Sequence, residues 1–174
     1  MNPSDWSVRL AHPGDAEAFA EVEEDAARIL HDEPSLAQVT IPPARSPAEY
    51  RAIIAQGQSL ASMSDGRIIG FAAARPVGRE LHLHELSVAR AYQRNGIGGT
   101  LLRALQIDAR NAGFASITLH AFRDIAWNGP FYAAYGFAEV TNLADHPRLS
   151  AGQNAAVDEG LPRAMRCAMV CFLD

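Results

Sequence analysis

Cysteine is scarce in this chain. Cys167 and Cys171 are the only two, and they stand four positions apart in an apolar, strand-like run. That spacing is neither the C-x-x-C of a redox pair nor half of a zinc site, so both read as buried thiols. Long apolar stretches are missing as well: no run approaches the roughly 20 residues that a membrane-spanning helix needs. The opening MNPSDWSVRL has no basic region followed by an apolar core, so no secretory signal is read there and the expected location is the cytoplasm. Basic charge is in short supply. A formal net charge of −5 argues against nucleic acid as the main partner, because phosphate binding needs a basic surface, and suits a cationic substrate such as an amine. Repeats, linkers and a second domain are not seen either. The 174 residues, 48% hydrophobic and 20% charged, are read as one domain, 1–174, with a sizeable core.

The chain is a mixture of short strands and helices. Trp6 to Leu10 reads as a first strand, and the turn at 12–15 leads into a helix over 16–30 with Asp15 as its N-cap. Residues 31–48 hold four prolines and little periodicity; they read as a long connection, and such loops are often functional. Ser46 and Pro47 start a second helix that Gly57 closes. Strands over 59–64 and 67–75 flank Asp65-Gly66, a hairpin signal. Pro76-Val77-Gly78 then turns the chain into a strand over 80–89. A helix up to Gly113, a strand over 116–122, a short helix over 127–135, a strand over 137–141, a weak helix over 144–160 and a strand over 165–173 complete it. The order implies an α/β protein with a hairpin-rich first half and β-α-β units in the second.

At the junction of the strand at 80–89 and the next helix lies Gln93-Arg94-Asn95-Gly96-Ile97-Gly98, followed by Gly99 and Thr100. Behind it Leu81, Leu83, Leu86 and Val88 form the apolar strand; ahead of it Ile97, Leu101, Leu102 and Leu105 share a helical stripe. The first amides of a helix lack partners and its dipole is positive there, so glycines at this junction can wrap an anion such as a pyrophosphate. The pattern is neither a Rossmann G-x-G-x-x-G nor a P-loop, which would need Gly-Lys-Ser/Thr. On the strand itself, His82 and His84 share one face by period two, and Glu85 and Ser87 face the other way unless a bulge intervenes. A neutral imidazole can take or relay the proton that an ammonium must lose before it attacks.

Gln-x-x-Gly-x-Gly resembles the acetyl-CoA-binding signature of the GCN5-related N-acetyltransferase (GNAT) superfamily, and Phe131-Tyr132-x-x-x-Gly136-Phe137 resembles its second signature. Specific support comes from residues 81–103 and 127–137, while the element order matches over most of the chain. The resemblance implies a GNAT fold: a central, mixed, twisted sheet of about seven strands flanked by helices. It implies that Gln93, Arg94, Asn95, Gly96, Ile97, Gly98, Gly99 and Thr100 hold the cofactor pyrophosphate. The backbone of Leu86, Ser87 and Val88 would pair with pantetheine as a strand edge, with Asn128 as a further contact. Tyr132 would be the general acid, since a phenol of pKa about 10 can protonate a thiolate of pKa about 8.5. Tyr135 reads as core.

The His82-x-His84 strand and Pro130-Phe131-Tyr132 further resemble the arylalkylamine N-acetyltransferases, where paired histidines relay a proton. His120, on the next strand, joins them or is itself the base, and Glu85 is the remaining base candidate. A three-histidine zinc site is the other arrangement; direct acetyl transfer needs no metal. The resemblance thus implies an acetyl-CoA-dependent N-acetyltransferase acting on a small primary amine, without a covalent enzyme intermediate and without nucleic acid or membrane. A homodimer is compatible with it. Its rivals are a peptide or protein N-terminal acetyltransferase, with His120 or Glu85 as base, and a non-catalytic acyl-CoA sensor.

Overall fold

A computed structural model describes residues 5–173. Its strands are β1 (Ser7–Leu10), β2 (Leu60–Ser64), β3 (Arg67–Val77), β4 (Glu80–Val88), β5 (Ser116–Phe122), β6 (Ala138–Glu139) and β7 (Arg166–Phe172). The helices are α1 (Ala16–His31), α2 (Pro47–Ile54), α3 (Ile97–Asn111), α4 (Gly129–Ala134) and α5 (Pro147–Asp158). The strands form one sheet in the order β1-β2-β3-β4-β5-β7-β6. Every adjacent pair is antiparallel except β4 and β5, which run parallel. This is the α/β, seven-strand mixed sheet expected.

Several boundaries differ. β3 continues through Pro76 and Val77, which pair with Leu81 and Glu80, so the turn falls at Gly78, whose φ is +61°. The weak helix near 144–160 resolves into a 3₁₀ turn and α5. Asp15 precedes α1, but its carboxylate does not cap it. Arg9 of β1 takes that carboxylate in a fork at 2.7 and 2.9 Å, and the His12 amide donates to it as well. The charged, two-pronged partner outcompetes a single helix amide. Ser46 does cap α2: its hydroxyl accepts from the Glu49 amide, and the Glu49 carboxylate takes the Ser46 amide at 2.9 Å.

The sheet has two covered faces. α3 packs Ile97, Leu101, Leu102 and Leu105 against Leu81, Leu83, Ile117 and Leu119. Each of these side chains is almost fully buried, a gain of about 1.5–3 kcal/mol apiece before entropy is counted. Cys167 and Cys171 lie in this layer as free, buried thiols. On the opposite face α1 and α2 close over Phe71. Phe19 stacks on its ring at 4.1 Å and Tyr50 meets it edge-on.

Two irregularities in β4 open the sheet and set the facing of its polar residues. Ala73 pairs with Glu85 and Ala74 with Leu83, so His84 has no opposite number and β4 bulges there. Leu81, Leu83, Leu86 and Val88 therefore all reach the α3 layer, and His82, His84, Glu85 and Ser87 share the other face. In addition, β4 pairs with β5 only over Glu80–His82. Beyond that the two strands part, while β5 stays bonded to β7 from Ser116 to Phe122.

Candidate active site

The parting of β4 and β5 opens a cleft of about 1430 Å³ that passes through the sheet. On the α3 side its wall is the glycine loop. Arg94 and Gly96 adopt left-handed backbone, with φ of +65° and +78°. The Gln93 amide group ties the loop to the Val88 carbonyl at 2.9 Å, and Asn95 bonds the Tyr92 and Gln93 carbonyls. Gly96 stands at the N-cap of α3, no side chain among the described residues caps the first amides of the helix, and Gly96 to Gly99 line the cleft. An added Cβ on Gly98 would come to rest in ordinary contact with Val88 and Phe131 at 3.8 and 3.9 Å. Gly99 is different: a Cβ there would fall 1.9 Å from the Tyr135 hydroxyl. Tyr135, expected as core, is half-buried along the cleft, with Arg103 over its ring.

Tyr132 comes from α4. That helix starts tight against β5, because a Cβ on Gly129 would meet the Phe122 and Arg123 carbonyls at 2.6 and 2.5 Å. Asn128 serves this junction: its side-chain oxygen accepts the Phe122 amide at 2.7 Å, which commits its carbonyl end to the fold, and the residue lines the cleft. The Tyr132 ring is buried in the α3 layer and its side chain lines the cleft. Burial raises the phenol's pKa, the Glu85 charge adds to this, and Arg166 opposes it.

The histidines occupy the far face. His82 lies 4.8 Å from His84 and 5.5 Å from His120, ring centre to ring centre. Arg148 of α5 donates to His82 Nδ1 at 3.1 Å and to the Thr118 hydroxyl at 3.0 Å, and pairs with Glu80. An acceptor Nδ1 puts the proton of neutral His82 on Nε2. His82 is held down to about 2, by burial first and then by the charges around it. His84 is lowered to about 4 by burial and then by Arg45, Arg75 and Arg148. Its Nε2 is buried without a hydrogen bond among the described residues. His120 Nε2 bonds the Leu149 carbonyl at 2.9 Å, and Gly152 leaves it room, since a Cβ there would sit 2.6 Å from the ring. Burial lowers His120 too. Among the described residues no group of His, Cys, Asp and Glu is arranged to hold a metal ion.

The bulge turns Glu85 into the same space, which corrects the strict alternation that would point it away. Ser87 donates to Glu85 at 2.8 Å, and Arg45 bridges Glu85 and Glu23 at 3.6 and 3.7 Å. Tyr50 donates to Glu23 at 2.5 Å. Burial and the Glu23 charge push the Glu85 carboxyl up, against the pull of Arg45. Sequence reading missed Arg45, Arg148 and Arg166, because charged residues in a proline-rich loop, a weak helix and a last strand carry no local signal. The bulge did leave one: Leu81, Leu83, Leu86 and Val88 are spaced two, three, two.

Residues 20–137, well over half the chain, match the Acetyltransferase (GNAT) family. The chain belongs to that family. It is an acetyl-CoA-dependent GNAT N-acetyltransferase. The PaiA N-acetyltransferase of Thermoplasma acidophilum, solved with coenzyme A, superposes with a TM-score of 0.70 at 16% identity over 97% of this chain and 99% of that one. The ribosomal-protein-S18-alanine N-acetyltransferase of Escherichia coli gives 0.68 at 18% identity, over 97% and 94%. A GNAT family acetyltransferase from Brucella melitensis, solved with acetyl-CoA, gives 0.57 at 25% identity, over 76% and 82%. The unpaired amides of α3, the cleft-facing Gly98 and the unpaired edge of β4 fit that cofactor: they offer anion donors, space and a strand to extend. No helix among the described residues is long and apolar enough to cross a membrane.

Proposed function

We propose that this acetyltransferase moves the acetyl group directly onto the primary amine of a small molecule, with a histidine relay on one side of the sheet and Tyr132 on the other. The observation that carries this is the cleft itself. It passes between β4 and β5 with Tyr132 in one wall and His82, His84 and His120 in the other.

Acetyl-CoA, when bound, supplies an activated acetyl thioester whose C–S bond breaks as the new C–N bond forms. The α3 amides from Gly96 onward hold the pyrophosphate, and the β4 edge at Leu86, Ser87 and Val88 orients the arm. The acceptor enters as an ammonium and must lose one proton before attack and another afterwards. His84 is placed for this because its Nε2 has no partner among the described residues, and its low pKa keeps it neutral and able to accept. His82 stands behind it as the Nε2–H tautomer set by Arg148; it takes the proton on Nδ1 as Arg148 falls back on Glu80 and Thr118, and gives up its Nε2–H toward solvent. Tyr132 donates its phenolic proton to the departing thiolate and is reprotonated from water. The products are an N-acetylated amine, the free thiol and one proton.

Glu85 gives the peptide N-terminal alternative its one specific support, because the bulge brings a carboxylate beside the histidines. His120 supports it less, since its Nε2 is occupied by Leu149 and α5 covers it. Thiol release with a panel of small amines and short peptides separates the two. Turnover confined to peptides would defeat the small-amine reading.

A further inference from the structure

Arginines line the cleft, and most are accounted for. Arg45 pairs with Glu23 and Glu85, and Arg148 with Glu80, Thr118 and His82. Arg75 and Arg94 are exposed to water. Arg166 is different. It opens β7 opposite Phe122, and its guanidinium carbon lies 4.6 Å above that ring. Its Nε is buried with no hydrogen-bond partner, and no carboxylate pairs with it among the described residues. Burial pulls this guanidinium's pKa down, and Cys167, Glu85 and Tyr132 oppose that without forming an ion pair with it among the described residues, so its desolvated charge is only weakly matched. A guanidinium held over an aromatic ring by its carbon can still offer N–H groups for two parallel bonds to a carboxylate.

The surroundings say what that carboxylate belongs to. Arg166 lines the cleft on the histidine face, and its charge is felt by Tyr132 and His120. The phosphate-binding amides belong to α3, on the opposite face of the sheet. Beside Arg166 the wall is apolar: Leu30, Ile41, Phe122, Ala156 and Leu161. Across the cleft stand Glu85 and the unpartnered His84 nitrogen.

We infer that Arg166 is a carboxylate-binding residue for the acceptor, and that the acceptor is an α-amino acid with an apolar side chain. Its carboxylate docks on the Arg166 fork, its side chain lies against Ile41, Ala156 and Leu161, and its amine points to His84. This rests on the small-amine reading above and narrows it.

The test compares L-phenylalanine and L-leucine with their amides, their decarboxylated amines (phenethylamine and isoamylamine) and a peptide beginning with each residue. Thiol release gives kcat/KM; calorimetry gives the affinity of the CoA-loaded protein for N-acetyl-L-phenylalanine and N-acetyl-L-leucine and for their amides. The free acids should exceed amides and amines by about ten- to a hundredfold, the range for a hydrogen-bonded charge. Arg166→Met, which keeps a long apolar stem over Phe122, should bring the acid-to-amide ratio close to one. Arg166→Lys should fall between. The wild-type comparison stands even if a variant fails to fold. Amines or amides turned over as well as the acids would overturn the carboxylate site and leave the small-amine reading intact. Turnover of peptides alone, or of nothing while acetyl-CoA still binds, would overturn both.

Discussion

Removing the Tyr132 hydroxyl is the most incisive perturbation, because here rate and stability come apart. The Tyr132 ring is 8% exposed and packs against Phe131 and Phe137 in the α3 layer. Tyr132→Phe keeps all of that. The hydroxyl makes no hydrogen bond to the described residues and lines the cleft, so its loss orphans no donor or acceptor. The stability change should stay within about 1 kcal/mol, which for a chain of this size is a shift of roughly 2–4 °C in Tm. The rate is another matter. If the phenol protonates the departing thiolate, turnover should drop about ten- to a thousandfold, equivalent to about 1.4–4 kcal/mol in the barrier. The raised phenol pKa adds a second signature: Tyr132 stays protonated through the alkaline range, so it contributes no falling limb to the wild-type pH profile up to about pH 10. Thiol release measured alongside a thermal melt and acetyl-CoA calorimetry reads all three quantities. A variant that melts normally and turns over within about twofold of wild type would make water the proton donor. A loss that tracks weaker acetyl-CoA binding would make the phenol a binding group.

Gly98→Val should fold, since its Cβ meets only ordinary contacts, and should weaken acetyl-CoA binding by about tenfold or more, read by calorimetry; unchanged affinity would move the pyrophosphate elsewhere. Gly96→Val is the poorer test, because its φ of +78° strains any branched residue regardless of the ligand. Replacing His82 and His84 together by Gln should lower the rate, and the wild-type kcat/KM should show its histidine limb near pH 4, not near the ordinary value of about 6.5; a limb near 6.5 that survives the double replacement would remove them from the relay. The same shifts govern stability. Folded histidines with depressed pKa values favour the native state fully above about pH 6.5, where both states are neutral, and this contribution fades as pH falls, toward about 4 for His84 and on toward about 2 for His82, because the unfolded chain binds the protons first. Denaturant unfolding should therefore weaken between those values in wild type and less steeply in the double variant.

The sequence by itself determined the sheet-and-helix order, the helix that starts at the glycine loop and the family. All three rest on local facts. Ile97, Leu101 and Leu105 repeat with a helix's period, Ser46 and Glu49 cap α2 within four residues, and Gly96 takes a backbone angle that other residues resist. It also held the bulge in plain view, in the two-three-two spacing of Leu81, Leu83, Leu86 and Val88, though strict alternation hides it. Only the tertiary structure decided what surrounds the reacting groups. His82 acquires its tautomer from Arg148, 66 positions away. Glu85 acquires its counter-charge from Arg45, and Arg166 acquires its place above Phe122 from the pairing of β7 with β5. A residue's identity sets what chemistry it can do. The pKa, tautomer and unmet charge that select among those options come from burial and from charges far along the chain, and these exist only once the sheet has closed.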